Sequence, residues 1–362
     1  MTSTSRTTTA SSRPSTQSRM PAQTWAAILT ALLDRQDLSG AAAAWAMGQV
    51  VRGDATSAQI AGFLTALRAK GETAEEICGF VDALQEQATK VTITGPTVDI
   101  VGTGGDRTGA VNISTIASIV VAATGVTVVK HGGRSSSSST CGAADLVEYL
   151  GISLDLNPAQ VARVAAEAGI TFLFAPRFNP GMRHAIPVRR ELAVPTVFNI
   201  LGPLISPADP QHKVVGVADA KMVPVIADVL ATRGRSALVV RGQDGLDKLT
   251  TVTTSQVWLV RDGRAMQTTL DPRDLGIPRV EPASLRGGNA ADNAAVLRAV
   301  LAGQRGPIRD VVLLNAAAAL VAIAPTAASL TEQLAVGVAR CAEAIDTGAA
   351  HATLERWITA AR

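Results

Sequence analysis

Residues 99–115 read DIVGTGGDRTGAVNIST, and this stretch decides the fold class. A short β-branched run (98–101) ends at Gly102, Gly104 and Gly105, and a helical segment follows. Because glycines lack side chains, their backbone N–H groups can approach phosphate oxygens, and the first turn of the helix adds the positive end of its dipole. The stretch therefore predicts a buried strand whose carboxyl end carries a phosphate-binding loop.

Two familiar phosphate-binding loops are excluded by the same residues. The GxGxxG pattern requires glycine where Arg107 stands, and GxxxxGK[ST] does not occur here. Asn112, Ser114 and Thr115 add side-chain hydrogen-bond donors at the start of the helix. Taken by itself, the stretch also fits a tight turn before a well-capped helix.

A second loop strengthens the ligand-binding interpretation. Residues 130–145 read KHGGRSSSSSTCGAAD, again between a predicted strand and a predicted helix. A serine-rich run can be a linker, but long linkers seldom interrupt an alternation of strands and helices. Because the carboxyl ends of parallel strands meet at one edge of a sheet, the two loops predict a ligand with two phosphate groups.

The chain after Gly95 and Pro96 alternates between short β-branched runs and helical segments. Strands are predicted at 98–101, 126–130, 170–174, 214–218, 237–241 and 257–260. Helices are predicted at 112–124, 143–150, 158–168, 221–232 and 290–302. This alternation predicts a mainly parallel sheet flanked by helices.

The first part of the chain shows a different pattern. Residues 22–92 contain four amphipathic helical stretches and no strand-like alternation, and Thr73 and Glu76 form a capping-box pattern. We therefore predict an α/β protein with a small N-terminal all-helical domain (21–93) and a large α/β domain (94–362). A helix at about 180–192 is expected to join the helical domain.

The first twenty residues form a Ser/Thr/Arg-rich tail. They include twelve serines or threonines, three arginines and no acidic residue. Such a composition is compatible with a transit peptide, but the arginines are sparse and no amphipathic apolar face is present. A disordered extension is the favoured interpretation.

Charge and apolar patterning exclude several partner classes. The net charge of +3 is carried by the tail, so the remaining chain holds 30 basic and 30 acidic residues. A broad nucleic-acid surface would need a clustered basic excess, so no nucleic-acid partner is expected. We also expect no membrane partner, since no apolar run approaches the roughly 20 residues that span a bilayer. Three widely spaced cysteines fit free thiols and a cytoplasmic location.

Several motifs together resemble one known family. These are GTGGD (102–106), NIST (112–115), KHG-R (130–134), A-D (144–145), PVRREL (187–192), FNILGPL (198–204) and DGLD (244–247). With them, the chain from about residue 22 to the C-terminus is similar to anthranilate phosphoribosyltransferases, which belong to a group that includes pyrimidine nucleoside phosphorylases. FNILGPL and PVRREL favour the transferase branch.

The resemblance implies a donor site for phosphoribosyl diphosphate and a Mg²⁺ cofactor. The donor-binding residues would be Gly102, Gly104, Gly105, Asp106, Asn112, Ser114, Thr115, Lys130, Ser137 and Ser138. Ser114 and Asp247 would hold the metal, and Asp106 could instead steady the glycine loop. The family also implies a homodimer formed through the helical domain.

The resemblance further implies an acceptor side for a small amine or carboxylate. Arg189 would face the carboxylate of anthranilate, and Gly133, Asn179 and His184 would belong to the same side. No certain catalytic residue is identified. The absence of an obvious general base is no objection, because the aromatic amine of anthranilate is neutral and nucleophilic. The implied reaction transfers 5-phosphoribosyl to anthranilate with release of diphosphate, as in tryptophan biosynthesis.

This chain departs from the family pattern at three motifs. KHGN reads KHGG here, the HP-A or HP-S segment reads Asn179-Pro180-Gly181, and DGLDE reads DGLDK. Lys248 therefore replaces the expected glutamate, either pairing with the diphosphate or pointing to solvent. The alternatives are a diverged paralogue with the same donor and another acceptor in a specialised pathway, and a non-catalytic ligand-binding relative.

Overall fold

The computed structural model describes residues 23–134 and 141–362, and its N-terminal part is a helical bundle. Four helices follow the predicted breaks, namely α1 (Trp25–Leu33), α2 (Gly40–Arg52), α3 (Ser57–Lys70) and α4 (Ala74–Gln87). The predicted tail lies outside the described residues. The small all-helical domain of the predicted fold class is confirmed.

The predicted capping box starts α4 and also joins three helices. Glu76 N donates to Thr73 Oγ1 and Thr73 N donates to the Glu76 carboxylate. The Glu76 side chain is fully buried and also accepts from Leu38 N and Lys70 Nζ, at 2.9 and 3.0 Å. A single carboxylate therefore satisfies donors at the ends of α2, α3 and α4, where uncapped N–H groups would be costly.

A seven-stranded sheet forms the centre of the second domain. Its strands are β1 (Thr97–Gly102), β2 (Thr127–Gly132), β3 (Ile170–Phe174), β4 (His212–Gly216), β5 (Ser236–Gly242), β6 (Ser255–Arg261) and β7 (Arg264–Leu270). The strand order is β3-β2-β1-β4-β5-β6-β7. The first five strands pair in parallel and the last two pairings are antiparallel, which confirms the mainly parallel sheet.

The edge strand β7 was not predicted. Its sequence, RAMQTTL, is polar, and it pairs with β6 through a hairpin whose turn residues Asp262 and Gly263 both have positive φ. An Asp-Gly pair between two short runs is a strong hairpin signal, and this signal could have identified the strand.

Helices cover both faces of the sheet, as predicted. They are α5 (Ile113–Ala123), α6 (Ala143–Tyr149), α7 (Pro158–Ala168), α8 (Ala175–Phe178), α9 (Ile186–Leu192), α10 (Phe198–Leu201), α11 (Met222–Thr232), α12 (Ala290–Leu301), α13 (Pro307–Ile323), α14 (Leu330–Asp346) and α15 (Ala349–Ala360). Short 3-10 helices occupy Pro180–Ala185, Gly202–Leu204, Pro272–Leu275 and Pro282–Leu285. No helix within the described ranges is both long and apolar enough to cross a membrane.

Two hydrophobic cores lie on opposite faces of the sheet. Val214 and Val240 pack into the core that contains α5 and α13, whereas their neighbours Val215 and Val239 pack into the core shared by α11 and the helical bundle. This division follows from the two-residue period of a strand. The helical domain thus packs on the same core as one face of the sheet.

The segment expected as one helix at 180–192 is divided. A 3-10 helix over Pro180–Ala185 contacts α2, and α9 begins at Ile186 and contacts α3. The division has a physical reason, since Pro180 and Pro187 lack a backbone N–H and are tolerated only in the first turn of a helix.

Candidate functional site

A cavity of about 250 Å³ lies at the carboxyl ends of β1 and β2. Its lining brings together most of the predicted donor residues, a predicted acceptor residue and both predicted metal ligands. These are Gly102, Gly104, Gly105, Asp106, Asn112, Ser114, Lys130, Gly133 and Asp247, joined by Lys248. The sheet edge has therefore gathered residues from four separate motifs.

Two glycines let the loop after β5 lie across the strand ends. A Cβ atom on Gly102 would lie 2.1 Å from Asp247 Oδ2, and one on Gly216 would lie 1.5 Å from the Asp247 carbonyl oxygen. Gly104 and Gly105 adopt positive φ angles of 69° and 78°, which favour glycine. The GTGG sequence thus serves both a close backbone approach and a sharply turned loop.

The loop over residues 242–250 is anchored to the core of the α/β domain. Leu246 and Leu249 are buried in the core, and Leu249 exchanges two backbone hydrogen bonds with the Asn315 side chain, at 3.0 and 2.8 Å. The leucines point inward, so Asp247 and Lys248 are left to line the cavity.

Asp106 connects the glycine loop to the loop over residues 242–250. Its Oδ1 accepts from Thr108 N at 3.1 Å and Oδ2 accepts from Asp247 N at 3.4 Å. Burial opposes ionisation of Asp106, but the Lys248 ammonium and these hydrogen bonds outweigh it and lower the pKa of the carboxyl. The geometry agrees with a loop-steadying role.

Asp247 and Lys248 form a buried ion pair. Asp247 is 1% exposed; its Oδ2 accepts from Gly104 N at 2.7 Å, and its Oδ1 pairs with Lys248 Nζ. The Lys248 side chain is only 17% exposed, so the alternative in which it points to solvent is wrong. Burial alone would lower the pKa of Lys248, but the Asp247 and Asp106 carboxylates raise it.

Lys130 extends from β2 toward the start of α5. It is 1% exposed, and its ammonium donates to the Ile100 carbonyl at 2.8 Å and to Ser114 Oγ at 3.2 Å. Burial lowers the pKa of Lys130 to about 8, although neighbouring carboxylates oppose the shift. The cavity therefore contains a second fixed cation.

Asn112 joins the start of α5 to the second loop. Its Nδ2 donates to the Cys141 carbonyl at 3.0 Å and its Oδ1 accepts from Asn293 Nδ2 at 2.7 Å, so the side chain does not cap α5. Thr115 is fully buried and does not line the cavity. The predicted Ser137 and Ser138 lie outside the described residues.

The predicted acceptor residues are dispersed. Gly133 lines the cavity, but Asn179 is 4% exposed and its Nδ2 lies 3.1 Å from His131 Nε2. His131 Nδ1 lies 3.2 Å from the Gly202 carbonyl, so Nδ1 donates there and Nε2 accepts from Asn179. Burial lowers the pKa of His131 to about 4, which keeps the ring neutral.

Arg189 and His184 lie outside the cavity lining. The Arg189 guanidinium stacks over the Phe198 ring at 5.3 Å, and burial lowers the pKa of Arg189. His184 contacts Gly53 at the end of α2, where an added Cβ would lie 2.9 Å from its Cε1. Both side chains belong to the segment that packs against the helical domain.

Sequence analysis missed the charged residues inside the strands. Asp99 and Lys213 are almost fully buried in β1 and β4, next to Lys130. Burial raises the pKa of Asp99 to about 6 and lowers that of Lys213 to about 8. Asp99 Oδ1 accepts from His131 N at 3.4 Å, and Lys213 Nζ donates to the Pro203 carbonyl at 3.1 Å. A charged residue within an apolar strand is costly to bury, and that pattern could have drawn attention to both residues.

The comparisons with known proteins agree with this architecture. Residues 26–88 match the helical bundle domain of a glycosyl transferase family, and residues 94–351 match its a/b domain. The fold and cavity thus define a two-domain glycosyl transferase.

Relatives narrow the assignment. The anthranilate phosphoribosyltransferase of Salinispora arenicola is 56% identical over 94% of this chain and 98% of its own length, and that of Streptomyces griseus is 54% identical over 94% and 96%. This chain belongs to the anthranilate phosphoribosyltransferase family and is a pentosyltransferase.

Solved structures share the fold. The anthranilate phosphoribosyltransferase of Thermus thermophilus superposes with a TM-score of 0.86 at 38% identity, covering 92% of this chain and 99% of the other. The enzyme of Saccharomyces cerevisiae, in complex with PRPP and Mg, gives 0.82 at 28% identity, covering 93% and 97%. Mg²⁺ is thus a cofactor found in this family.

Proposed function

We propose that this protein transfers the 5-phosphoribosyl group of phosphoribosyl diphosphate to anthranilate and releases diphosphate, as a step of tryptophan biosynthesis. The carrying observation is the cavity at the sheet edge, where a glycine loop with positive φ angles, the start of α5 and two ammonium groups converge. Oriented N–H groups and fixed cations are what a diphosphate requires.

The residues present suit the charge changes of this reaction. When the bond from ribose C1 to the diphosphate oxygen breaks, the diphosphate keeps the electron pair and the sugar becomes positive. In this proposal Lys130, Lys248 and the loop amides stabilise the departing negative charge, and such stabilisation is usually the largest catalytic effect. The anthranilate nitrogen then bonds to C1 and gives up one proton.

Mg²⁺ would neutralise diphosphate oxygens when bound. The two predicted metal ligands do not suit a protein-held ion, because the Lys130 ammonium contacts Ser114 Oγ and the Lys248 ammonium pairs with Asp247, and both positive charges repel a divalent cation. Residues 23–134 and 141–362 also contain no group of three His, Cys, Asp or Glu side chains able to hold a metal. In this proposal Mg²⁺ arrives with the donor, on its phosphate oxygens.

A second candidate function keeps the donor and changes the acceptor. Gly133 presents no side chain to the cavity, and Asn179 is engaged with His131. Both differ from the family pattern on the acceptor side, which favours a diverged paralogue acting on another small amine or carboxylate in a specialised pathway. A non-catalytic ligand-binding relative is less well supported, because most of the predicted donor residues line one cavity.

We further propose a cytoplasmic homodimer that associates through the helical domain and has no nucleic-acid or membrane partner. In this proposal Leu33, which is 74% exposed at the end of α1, lies at the contact between the subunits.

The reaction is tested by following anthranilate fluorescence and diphosphate release together, with phosphoribosyl diphosphate and Mg²⁺. Equal loss of anthranilate and gain of diphosphate is expected, and Lys130→Met should reduce kcat/KM about 10- to 100-fold because a charge-assisted contact is lost. Lys90→Met changes an exposed lysine outside the cavity and should be silent. Donor binding without anthranilate consumption would favour the second candidate.

A further inference from the structure

Lys248 stands at the junction of the two loops that enclose the donor cavity. Its Nζ pairs with Asp247 Oδ1, and Asp247 Oδ2 is already occupied by Gly104 N at 2.7 Å. Both oxygens of the buried carboxylate are therefore engaged. A divalent ion on Asp247 would lie beside the Lys248 ammonium, whose like charge repels it, whereas magnesium prefers carboxylate and phosphate oxygens without a neighbouring cation.

The ammonium has capacity left for a ligand. An ammonium carries three N–H donors, and the described contacts of Lys248 engage it only with Asp247. The side chain lines the cavity, as does Lys130 on β2, so both cations face the same space.

We propose that Lys248 is a donor-binding residue whose ammonium contacts the diphosphate of phosphoribosyl diphosphate and takes the place of a protein-held divalent cation. The inference rests on the proposed donor and is independent of the acceptor. A lysine is a compact point charge, so it suits phosphate oxygens without fixed bidentate geometry. A lysine that only neutralised Asp247 would affect folding stability but not donor affinity.

Donor affinity without metal separates these roles. Calorimetric titration with phosphoribosyl diphosphate is made in excess chelator and in Mg²⁺, on the full chain. The wild type should bind within about threefold under the two conditions, whereas Lys248→Met should lose about 10- to 100-fold in chelator, as expected for a lost charge-assisted contact. Lys248→Arg keeps the charge and should retain most of the affinity. Lys90→Met serves as the matched control.

The reverse substitution offers a second readout. Lys248→Glu places three carboxylates together, so the variant should melt at lower temperature in chelator and regain stability with Mg²⁺. With phosphoribosyl diphosphate present, electron paramagnetic resonance should count one more bound Mn²⁺ in this variant than in the wild type. Lys90→Glu carries the same change of charge on an exposed side chain and should show neither effect.

The outcomes are distinguishable. Unchanged donor affinity of Lys248→Met in chelator, or a wild type that needs Mg²⁺ by tenfold or more, overturns the proposal. If no variant binds phosphoribosyl diphosphate under either condition, the donor assignment fails and the proposal fails with it. Another outcome is that the donor binds without metal, in a way that depends on Lys248, while anthranilate is not consumed. That result supports the role of Lys248 and contradicts only the proposal that anthranilate is the acceptor. Lys248→Met and Lys248→Arg keep the test decisive if Lys248→Glu does not fold.

Discussion

The donor side and the acceptor side of this molecule are built differently. Donor residues come from loops at one sheet edge, line a single cavity and hydrogen-bond to one another, as Asp106, Asp247 and Gly104 do. The predicted acceptor residues Arg189 and His184 instead contact other parts of the protein, away from the cavity lining. The predicted donor site is thus held by hydrogen bonds within the α/β domain, whereas Arg189 and His184 lie in a segment that packs on the helical domain.

This difference explains why the sequence departures have unequal meaning. Lys248 replaces an expected glutamate inside the rigid donor cavity, where its partners are fixed by two buried leucines and Asn315. A substitution there alters the charge presented to the ligand. Asn179 is engaged with His131, and Gly133 presents no side chain to the cavity. We therefore expect substitutions at these two residues to change ligand affinity less than a substitution at Lys248.

The largest effect is expected when the donor cradle is broken. In Gly216→Ala the new Cβ would collide with the Asp247 carbonyl at 1.5 Å, so the loop must move at a cost of about 1 to 3 kcal/mol. We expect a lower unfolding free energy by urea titration and at least a tenfold loss of donor affinity. Gly202→Ala, where a Cβ meets nothing within 4 Å, is the matched control. Normal donor affinity in Gly216→Ala would show that the cradle is not rigid.

The pH dependence of stability tests whether the His131 ring, which joins β2 to Asn179, is neutral in the folded protein. The pKa of His131 is about 4 in the folded protein, below the ordinary value of 6.5, so only the unfolded state takes up a proton between these pH values. Stability from the neutral ring is complete above pH 6.5 and is lost as the pH falls toward 4. The unfolding free energy of the wild type minus that of His131→Gln should therefore fall by about 1 kcal/mol per pH unit below 6.5.

The measurement is urea unfolding of both proteins at pH 7.5, 6 and 5. Asp99, whose pKa is raised to about 6 by burial, is present in both proteins, so its own titration cancels to first order. A difference in unfolding free energy that stays constant with pH would show that His131 takes up its proton equally readily in the folded and unfolded states, contrary to a neutral ring that accepts from Asn179.

The smallest effect is expected on the acceptor side. Gly133 lines the cavity, and a Cβ there would meet no atom of residues 23–134 and 141–362 within 4 Å, so these residues leave room for Gly133→Asn. An added amide should lower KM for anthranilate by about tenfold or less, the value of one hydrogen bond, with donor KM unchanged. An unchanged or raised KM for anthranilate would count against acceptor drift at this residue.

Local patterns predicted much of the fold and part of the site. The capping box of Thr73 and Glu76, the glycine loop and the alternation of strands and helices all depend on near neighbours in the chain, and the structure contains them where expected. The polar edge strand β7 lacked an apolar period, and the helix expected at 180–192 is divided by its prolines.

The sequence by itself determined the two-domain α/β architecture, the phosphate-binding motifs and the family resemblance, because each is written in short-range spacing. Only the tertiary structure decided which motifs meet. The Lys248–Asp247 pair closes on Gly104, 143 residues away, and His131 binds Asn179, 48 residues away. Such long-range pairings depend on how the strands and the loops at their carboxyl ends pack. Burial of the paired side chains then shifts their pKa values.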